Sequence, residues 1–393
     1  MSLEIRPVAR RRDVRAFVDL PFRLYGTATP WVPPLKVERR LYLNRRLNPF
    51  FRHGEAELFL AERAGRPVGR ISAHVDRAFN DYHAERWGWF GFLEVADDAE
   101  ALAGLLDAGE RWLRDRGCER MVGPADFTLN DGCGILVDGF ERPPIIRQNW
   151  NEPYLPALCE GVGLEKAMDV FFWHLEIADR AQMLPILPQL ARDAREKHGM
   201  RIRKMSRRSL RRDLDLFGEL YNDAWKKNWG FVPYTKEDLD AYALDMQLVF
   251  DREWFMVAET AEGQPVGVAI TVPDVNQVLA RMGGRVLPLG WWHFVRKRRI
   301  IDQCRVGFLG VKPEYQHTGV AALLYLQHFD LAEIERITSG EMGWILETNT
   351  GMNRAMKAMH GRIVKRYRLY ERRFGPDVAR AWPEGARVWD PSS

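Results

Sequence analysis

The chain has 393 residues, 46% of them hydrophobic and 28% charged, with 32 Gly and 22 Pro. This composition excludes a disordered, collagen-like or disulfide-scaffold protein, and the length allows two domains or one large one. A formal net charge of +4 is too small an excess to mark a nucleic-acid binder, so any basic patch must be local. Only the 14 tryptophans are out of line. Cys118, Cys133, Cys159 and Cys304 stand without CxxC spacing, which predicts neither a metal site nor a disulfide framework and points to a reducing compartment. The amino terminus becomes strongly charged at Arg10-Arg11-Arg12 and lacks an apolar core of signal-peptide length. The longest apolar run, Val286 to Val295, falls short of the ~20 residues a spanning helix needs. A cytoplasmic protein is expected.

In chain order, each half reads as a short strand, helices, a strand pair, a further strand, a helix, a strand, a helix and a final strand: a mixed α/β pattern. Strands are predicted at Glu57–Ala64 and Val68–Val75. After Val95 a helix begins at Ala96-Asp97-Asp98-Ala99-Glu100, with carboxylates at its start. Gly123–Trp150 follows, carrying Asn130-Asp131-Gly132-Cys133-Gly134, and has no counterpart of similar length in the second half. Pro188–His198 reads as a short amphipathic linker helix stopped by Gly199. Strands are expected again at Trp254–Thr260, Val266–Val272 and Arg305–Val311, then a helix over Gly319–Ile337 and a strand over Gly343–Leu346. Before them, Arg285–Ile301 sets Trp291, Trp292 and Phe294 ahead of Arg296-Lys297-Arg298-Arg299.

The halves repeat each other. Ile5-Arg6 and Leu24-Tyr25 recur as Ile202-Arg203 and Leu220-Tyr221, and Trp31-Val32-Pro33 as Phe231-Val232-Pro233. Ala61-Glu62 with Pro67-Val68-Gly69 returns as Ala258-Glu259 with Pro265-Val266-Gly267, and Asn151 with Gly163 as Asn349 with Gly361. Gly91-Phe92-Leu93-Glu94-Val95 matches Gly307-Phe308-Leu309-Gly310-Val311 at a larger offset, so the second copy carries an insertion. Five matches in chain order identify a tandem duplication. The expected division is a first domain over 1–180, a linker helix over 181–200, a second domain over 201–380 and a tail over 381–393.

The segment joining the strand Arg305–Val311 to the next helix reads Val311-Lys312-Pro313-Glu314-Tyr315-Gln316-His317-Thr318-Gly319-Val320-Ala321. Small residues at a helix start let free N–H groups approach a pyrophosphate, and the helix dipole attracts the anion. As a bare pattern, Gln-x-x-Gly-x-Ala also fits a plain strand-to-helix turn. With the Leu-x-Val strand end, Pro-Glu-Tyr-Gln-x-x-Gly-x-Ala-x-Leu-Leu and a later strand ending near an Asn-bearing turn, it closely resembles the GNAT acyltransferase superfamily. Asn228-Trp229-Gly230-Phe231-Val232-Pro233 and Asn353-Arg354-Ala355 narrow the resemblance to a bacterial two-GNAT-domain group, some of whose members are associated with ceramide formation.

The resemblance implies two tandem GNAT-like domains, each a mixed, mostly antiparallel sheet flanked by helices. It implies that Leu309, Gly310 and Val311 offer strand backbone to the pantetheine arm of coenzyme A. Gln316, His317, Thr318, Gly319, Val320 and Ala321 would wrap the pyrophosphate, and the Val311 amide would serve as oxyanion donor. Asn349 and Asn353 would contact the cofactor arm, although Asn349 reads equally well as a helix cap. The first half, with acids at its helix start, should not bind coenzyme A; it is read as a scaffold completing the acceptor pocket.

Aminolysis of a thioester needs a neutral amine and a proton for the thiolate. Glu347 is the first candidate base, Asp131 the second and His317 the third, each with an ordinary surface or turn role as the alternative. Lys357 stands where many of these enzymes carry a Tyr that protonates the thiolate, so Tyr367, Tyr370 or water must substitute, or catalysis is weak. No covalent-intermediate pattern is apparent, and direct transfer is expected. Asn228 and Trp229, from the resemblance, and Trp291 and Trp292, beside the cations, are the acceptor-binding candidates. Arg285–Ile301 reads as headgroup contact on an anionic bilayer, as a buried aromatic pair beside a solvated charge run, or as cations steering coenzyme A. The expected activity moves an acyl group from acetyl-CoA or a longer acyl-CoA to a primary amine, with a sphingoid base or other lipid amine as acceptor. Alternatives are acetylation of a soluble amine and non-catalytic coenzyme A binding; aminoacyl-tRNA transfer is disfavoured by the intact loop. No metal and no nucleic acid are expected. The expected location is cytoplasmic, peripheral on the inner membrane face if 285–301 touches lipid, and the oligomeric state is not legible.

Overall fold

The computed structural model describes residues 2–26, 29–206, 208, 210–226, 228–237, 239–240 and 252–375. Its strands, in chain order, are β1 (Leu3–Pro7), β2 (Gly54–Arg63), β3 (Arg66–Asp76), β4 (Trp87–Val95), β5 (Arg120–Gly123), β6 (Ile135–Asp138), β7 (Glu165–Glu176), β8 (Arg201–Lys204), β9 (Phe255–Glu259), β10 (Pro265–Pro273), β11 (Gln303–Val311), β12 (Ser339–Leu346) and β13 (Arg362–Arg373). The strands and helices read from hydrophobic periodicity fall on these elements with ends shifted by a few residues, as fraying ends do.

The described residues form two compact units. Unit 1 lies within Met1–Val170, Leu279–Trp292 and Lys365–Ser393, and unit 2 within Phe171–Val278 and His293–Val364. Neither is continuous, in contrast to the consecutive domains expected from the repeat. The chain passes from unit 1 to unit 2 inside β7 and returns inside β13. The insertion of the second half contributes Leu279–Trp292 to unit 1, where the Lys36 amide donates to the Gly284 carbonyl at 3.4 Å. Gly284 takes φ +74, and a Cβ there would overlap the Phe22 ring. The segment read as a linker is the helix Ile186–Glu196, whose Leu187, Ala191 and Ala194 are part of the unit 2 core. Expected residues 381–393 lie outside the described residues.

In unit 1, β1 to β4 pair antiparallel in order, β4 pairs parallel with β5, and β13 pairs antiparallel with both β5 and β6. The helix Ala99–Arg114 buries Leu102, Leu105 and Leu106 in that core, one apolar stripe at helical spacing. Unit 2 repeats the scheme. β8 to β11 pair antiparallel and β11 pairs parallel with β12. Its helix Val320–Glu335 is apolar around most of its girth, which suits an element buried between the sheet and Ile186–Glu196.

The duplication is visible in its ion pairs. Arg6 on β1 reaches Glu62 at 2.7 Å and Asp13 at 3.1 Å; Arg203 on β8 bonds Glu259 and reaches Asp213 at 2.9 Å. Asp13 and Asp213 are both buried. β1 and β8 are thus each fastened to the strand beside them and to the helix that follows them in the chain by the same three charges.

Candidate active site

A wedge in unit 2 begins where two parallel strands part. Among the described residues β11 and β12 pair only over Gln303–Val306 and Ser339–Met342, yet β11 continues to Val311 and β12 to Leu346. Buried Arg305 donates from Nε and Nη2 to the Gly343 carbonyl at 3.2 and 3.0 Å, just where the ladder stops. It gives this carbonyl two side-chain donors at the point where the ladder parts. On the other edge of β11, the Lys312 amide donates to Val266 O at 2.9 Å. Hydrogen-bond direction alternates along an antiparallel strand. With Gly267 opposite Val311 and Ala269 opposite Leu309, the main-chain groups of Leu309 and Val311 therefore turn to the wedge. The Val311 carbonyl also accepts from Gln316 Nε2 at 3.3 Å.

Beyond β11 the 3-10 turn Pro313–Thr318 is closed by Thr318 Oγ1 donating to Tyr315 O at 2.7 Å, and Gly319 then starts the helix Val320–Glu335. No side chain caps this helix and its first turn carries no acid. The N–H groups of its first turn have no helical acceptor, and the dipole adds positive potential, so the helix start suits a phosphate. Gly319 is demanded twice over. Its φ is +79, and a Cβ would overlap the Leu190 carbonyl of the helix Ile186–Glu196. Packing alone requires glycine here, in addition to the approach of an anion.

Around the wedge the second unit is aromatic. The Trp225 ring occupies the space that a side chain at Gly310 would need, and Tyr221 stacks on Trp225 at 5.0 Å between ring centroids. Phe308 meets Phe217 edge-on at 5.0 Å.

Unit 1 has closed both features. Asp98 caps the helix Ala99–Arg114 by accepting from the Ala101 amide at 3.0 Å, and is itself held by Arg63 at 2.6 and 3.0 Å. Arg63 also bonds Glu100 in the first turn. The β4–β5 ladder stops after Trp89 and Val122, and the chain itself fills the gap: Ala125 N donates to Phe90 O at 2.7 Å, and Phe92 N to Asp126 Oδ1 at 2.8 Å. The Tyr154 hydroxyl takes the wedge-facing Val95 carbonyl at 2.7 Å. Gly91 is needed because a Cβ would overlap Ala125 O.

Comparison with known proteins agrees with this duplicated architecture. The chain is 30% identical over 374 residues to the protein YghO of Escherichia coli strain K12, covering 94% of this chain and 95% of that one. It is 31% identical over 378 residues to the bacterial ceramide synthase of Caulobacter vibrioides, covering 94% and 97%. A tandem GNAT protein from the clavulanic acid biosynthesis pathway superposes with a TM-score of 0.57 at 13% identity, over 96% of this chain and 100% of that one. The GCN5-related N-acetyltransferase from Sphaerobacter thermophilus superposes at 0.53 with 16% identity, over 96% and 98%. The chain belongs to the tandem GNAT acyltransferases. The solved structures carry the fold and the two curated relatives the membership. No family model matches the chain.

In this tandem GNAT acyltransferase the site residues named from sequence separate into two sets. Leu309, Gly310, Val311 and Gln316 to Ala321 lie together at the wedge and helix start of unit 2. Asn349 is the cap of the helix Thr350–Ala358, accepting from the Met352 amide at 3.1 Å. Asn353 donates to Leu346 O at 3.0 Å and accepts from Trp173 Nε1 at 2.9 Å, which fixes the end of β12. Glu347 follows β12 directly and is half-buried; Lys357 is exposed. Asn228 and Trp229 form the turn after the helix Leu210–Trp225, and Asn222, which the sequence did not single out, pins that loop through both main-chain groups of Tyr234 at 3.0 and 3.3 Å.

The second set lies in unit 1. Asp131 accepts from the Tyr42 hydroxyl at 2.6 Å, Thr128 Oγ1 at 2.9 Å and Arg147 at 3.5 Å. The Tyr367 hydroxyl is committed to Asn149 O at 2.8 Å and Tyr370 to Glu160 at 3.2 Å. These arrangements hold the Gly123–Trp150 segment and β13 in place. Trp291 and Trp292 are 46% and 45% exposed, against the buried aromatic pair that was one reading of this segment. All four cysteines are free and buried; burial pushes the Cys118 thiol to about 11 and Cys304 to about 12, so neither is a nucleophilic thiolate at neutral pH. No helix among the described residues is long and apolar enough to cross a membrane.

Proposed function

We propose that the chain is an acyl-CoA-dependent N-acyltransferase that holds its donor in unit 2 and passes the acyl group directly to the amine of a long-chain lipid. The observation that carries this is the contrast between the copies: one helix start is free of acids beside an open strand edge, the other is capped by Asp98 beside a sealed edge. The donor's diphosphate is assigned to Gln316 to Ala321 and its pantetheine amides to Leu309 and Val311. The amine nitrogen attacks the thioester carbonyl carbon, the C–N bond forms and the C–S bond breaks. The Val311 N–H stabilises the oxyanion, Glu347 accepts the amine proton through water, and water protonates the thiolate.

Two observations favour a lipid acceptor over a soluble amine. The wedge is flanked by Trp225, Tyr221 and Phe308. The segment 285–299 exposes Leu287, Leu289, Trp291, Trp292 and Val295 directly before four cations, and contains no carboxylate. Such a segment suits the headgroup layer of an anionic membrane, each cation adding roughly 1 kcal/mol near the surface, and we place the protein there from the cytoplasmic side. The name of the Caulobacter relative points the same way.

Free-thiol release from acyl-CoAs of increasing chain length, with panels of lipid and soluble amines, tests the reading; preference for acetyl-CoA with a soluble amine would sink the lipid acceptor, and donor binding without any turnover would leave a coenzyme A-binding protein. Glu347→Gln is expected to lower kcat about 100-fold or more with the donor Kd unchanged. Trp291→Ala with Trp292→Ala should weaken sedimentation with phosphatidylglycerol vesicles by roughly tenfold or more, and raised salt should weaken the unaltered chain too.

A further inference from the structure

Unit 1, whose helix start and wedge are closed, exposes its apolar side chains in one region. Among its described residues every exposed large apolar side chain except Tyr82 lies in one of two stretches, 37–47 or 286–292. Singly exposed apolar groups are ordinary on a protein surface, but their confinement to two stretches is not. The stretches also meet. The Lys36 amide donates to Gly284 O at 3.4 Å, and the Phe22 ring packs on Gly284, on Trp31 and under the Lys36 ammonium.

The first stretch is held firmly on its inner side. In the helix Lys36–Tyr42 the Tyr42 hydroxyl donates to Asp126 O at 2.7 Å, and Leu43 joins the core with Phe17 and Phe50. Val37, Arg40 and Leu41 stand at i, i+3 and i+4 on the other side, and all three are exposed. Asn44 then accepts from the Arg46 amide at 2.9 Å, and Arg45 donates to Ala56 O at 2.7 Å. This anchored turn leaves Arg46 and Leu47 exposed.

The charge of the region selects its occupant. Arg40, Arg46, Arg281 and Arg285 are exposed and have no ion-pair partner among the described residues. The acid of the first stretch, Glu38, is already held by Arg39 at 2.7 Å, and 281–292 contains no acid. A second copy of the chain, docked by two-fold symmetry, would set these arginines against their own images. An anionic bilayer supplies the missing charge, and its headgroup layer accepts the Leu and Trp side chains as well.

We propose that unit 1 is the membrane-docking module of the protein, with 37–47 and 281–292 seated together on an anionic bilayer. Leu41 and Leu47 enter the leaflet as a second contact, separate from Trp291 and Trp292, and the four arginines take lipid phosphates. The inference rests on the bilayer contact proposed above for 285–299 and extends it to an element that contact does not include; docking needs neither donor nor acceptor.

Sedimentation of the full chain with vesicles of phosphatidylglycerol and phosphatidylcholine in equal parts tests it. Leu41→Ser with Leu47→Ser is expected to weaken binding about tenfold. Arg40→Glu with Arg46→Glu should weaken it by about tenfold or more, and raised salt should imitate that loss in the unaltered chain. Neither pair should move the melting temperature or the acyl-CoA Kd, because these side chains are exposed and lie in unit 1. Undiminished binding by the folded leucine variant, beside loss in the Trp291→Ala, Trp292→Ala chain, would overturn the proposal and leave the contact at 285–299 standing. No sedimentation of the unaltered chain would overturn both. A dimer in analytical ultracentrifugation that the leucine pair dissociates, in a chain that ignores vesicles, would give the surface to a second copy instead. If the leucine variant fails to fold, the arginine variant decides. Turnover of soluble amines alone would sink the lipid acceptor without touching these results.

Discussion

Ala321→Glu is expected to abolish donor binding while leaving the fold as stable as before, or more so. Ala321 is the second residue of the helix Val320–Glu335, the place that Glu100 holds in unit 1, and it is only half-buried, so a longer side chain has somewhere to go. A carboxylate in the first turn interacts favourably with the helix dipole by about 0.3–1 kcal/mol, yet it sets a negative charge at the place proposed for the diphosphate. Acyl-CoA affinity should fall roughly 100-fold or more, a loss of about 2.7 kcal/mol, while the melting temperature holds or rises. Titration calorimetry beside a thermal scan reads both. Undiminished affinity in this variant would show that the helix start is not the phosphate site. Gly319 is the less informative target. Any side chain there adopts a strained φ and overlaps Leu190, so binding and stability fall together.

Asp98→Ala should do the reverse, destabilising the protein by ~3–5 kcal/mol with the donor Kd of the folded fraction untouched. Asp98 is fully buried and Arg63 is 2% exposed, so removing the carboxylate leaves a guanidinium without its buried partner and strips the cap from Ala99–Arg114. Arg63→Met combined with Asp98→Ala should cost less than Asp98→Ala alone, because the pair rather than either charge is what the interior tolerates. Chemical denaturation of the two single variants and the double variant measures this coupling. An Asp98→Ala chain that bound acyl-CoA more weakly while fully folded would contradict the assignment of the donor to unit 2.

Much of this was legible in the residues. The repeat, the acid-free helix start after Val311 and the acids after Val95 are local features, carried by residue type and spacing, and they were read in place. What resisted reading is decided by which strand edges remain open. Ala125 seals the wedge of unit 1 through its main-chain amide and Asp126 through its carboxylate on the Phe92 amide, pairings that leave little signature in the sequence except Gly91. Tyr367 and Tyr370 lie a few residues beyond Gly361, yet β13 passes from unit 2 to unit 1 after Val364 and their hydroxyls are held by Asn149 O and Glu160, partners that the sequence does not show. Asp131 looked like an available carboxylate because a sequence does not show that Tyr42, Thr128 and Arg147 already surround it. The exposure of Trp291 and Trp292 is decided by packing, and it removes only the buried-pair reading of that segment.

The passage of β7 and β13 from one unit to the other has a consequence for how this protein can change. A cut between residues 180 and 200, where the repeat places its seam, would take from unit 1 the strand that pairs with β5 and β6, together with residues 279–292. The copy whose helix start is capped by Asp98 therefore cannot be shed by a simple truncation. It is inherited whole with its partner and is not free to leave.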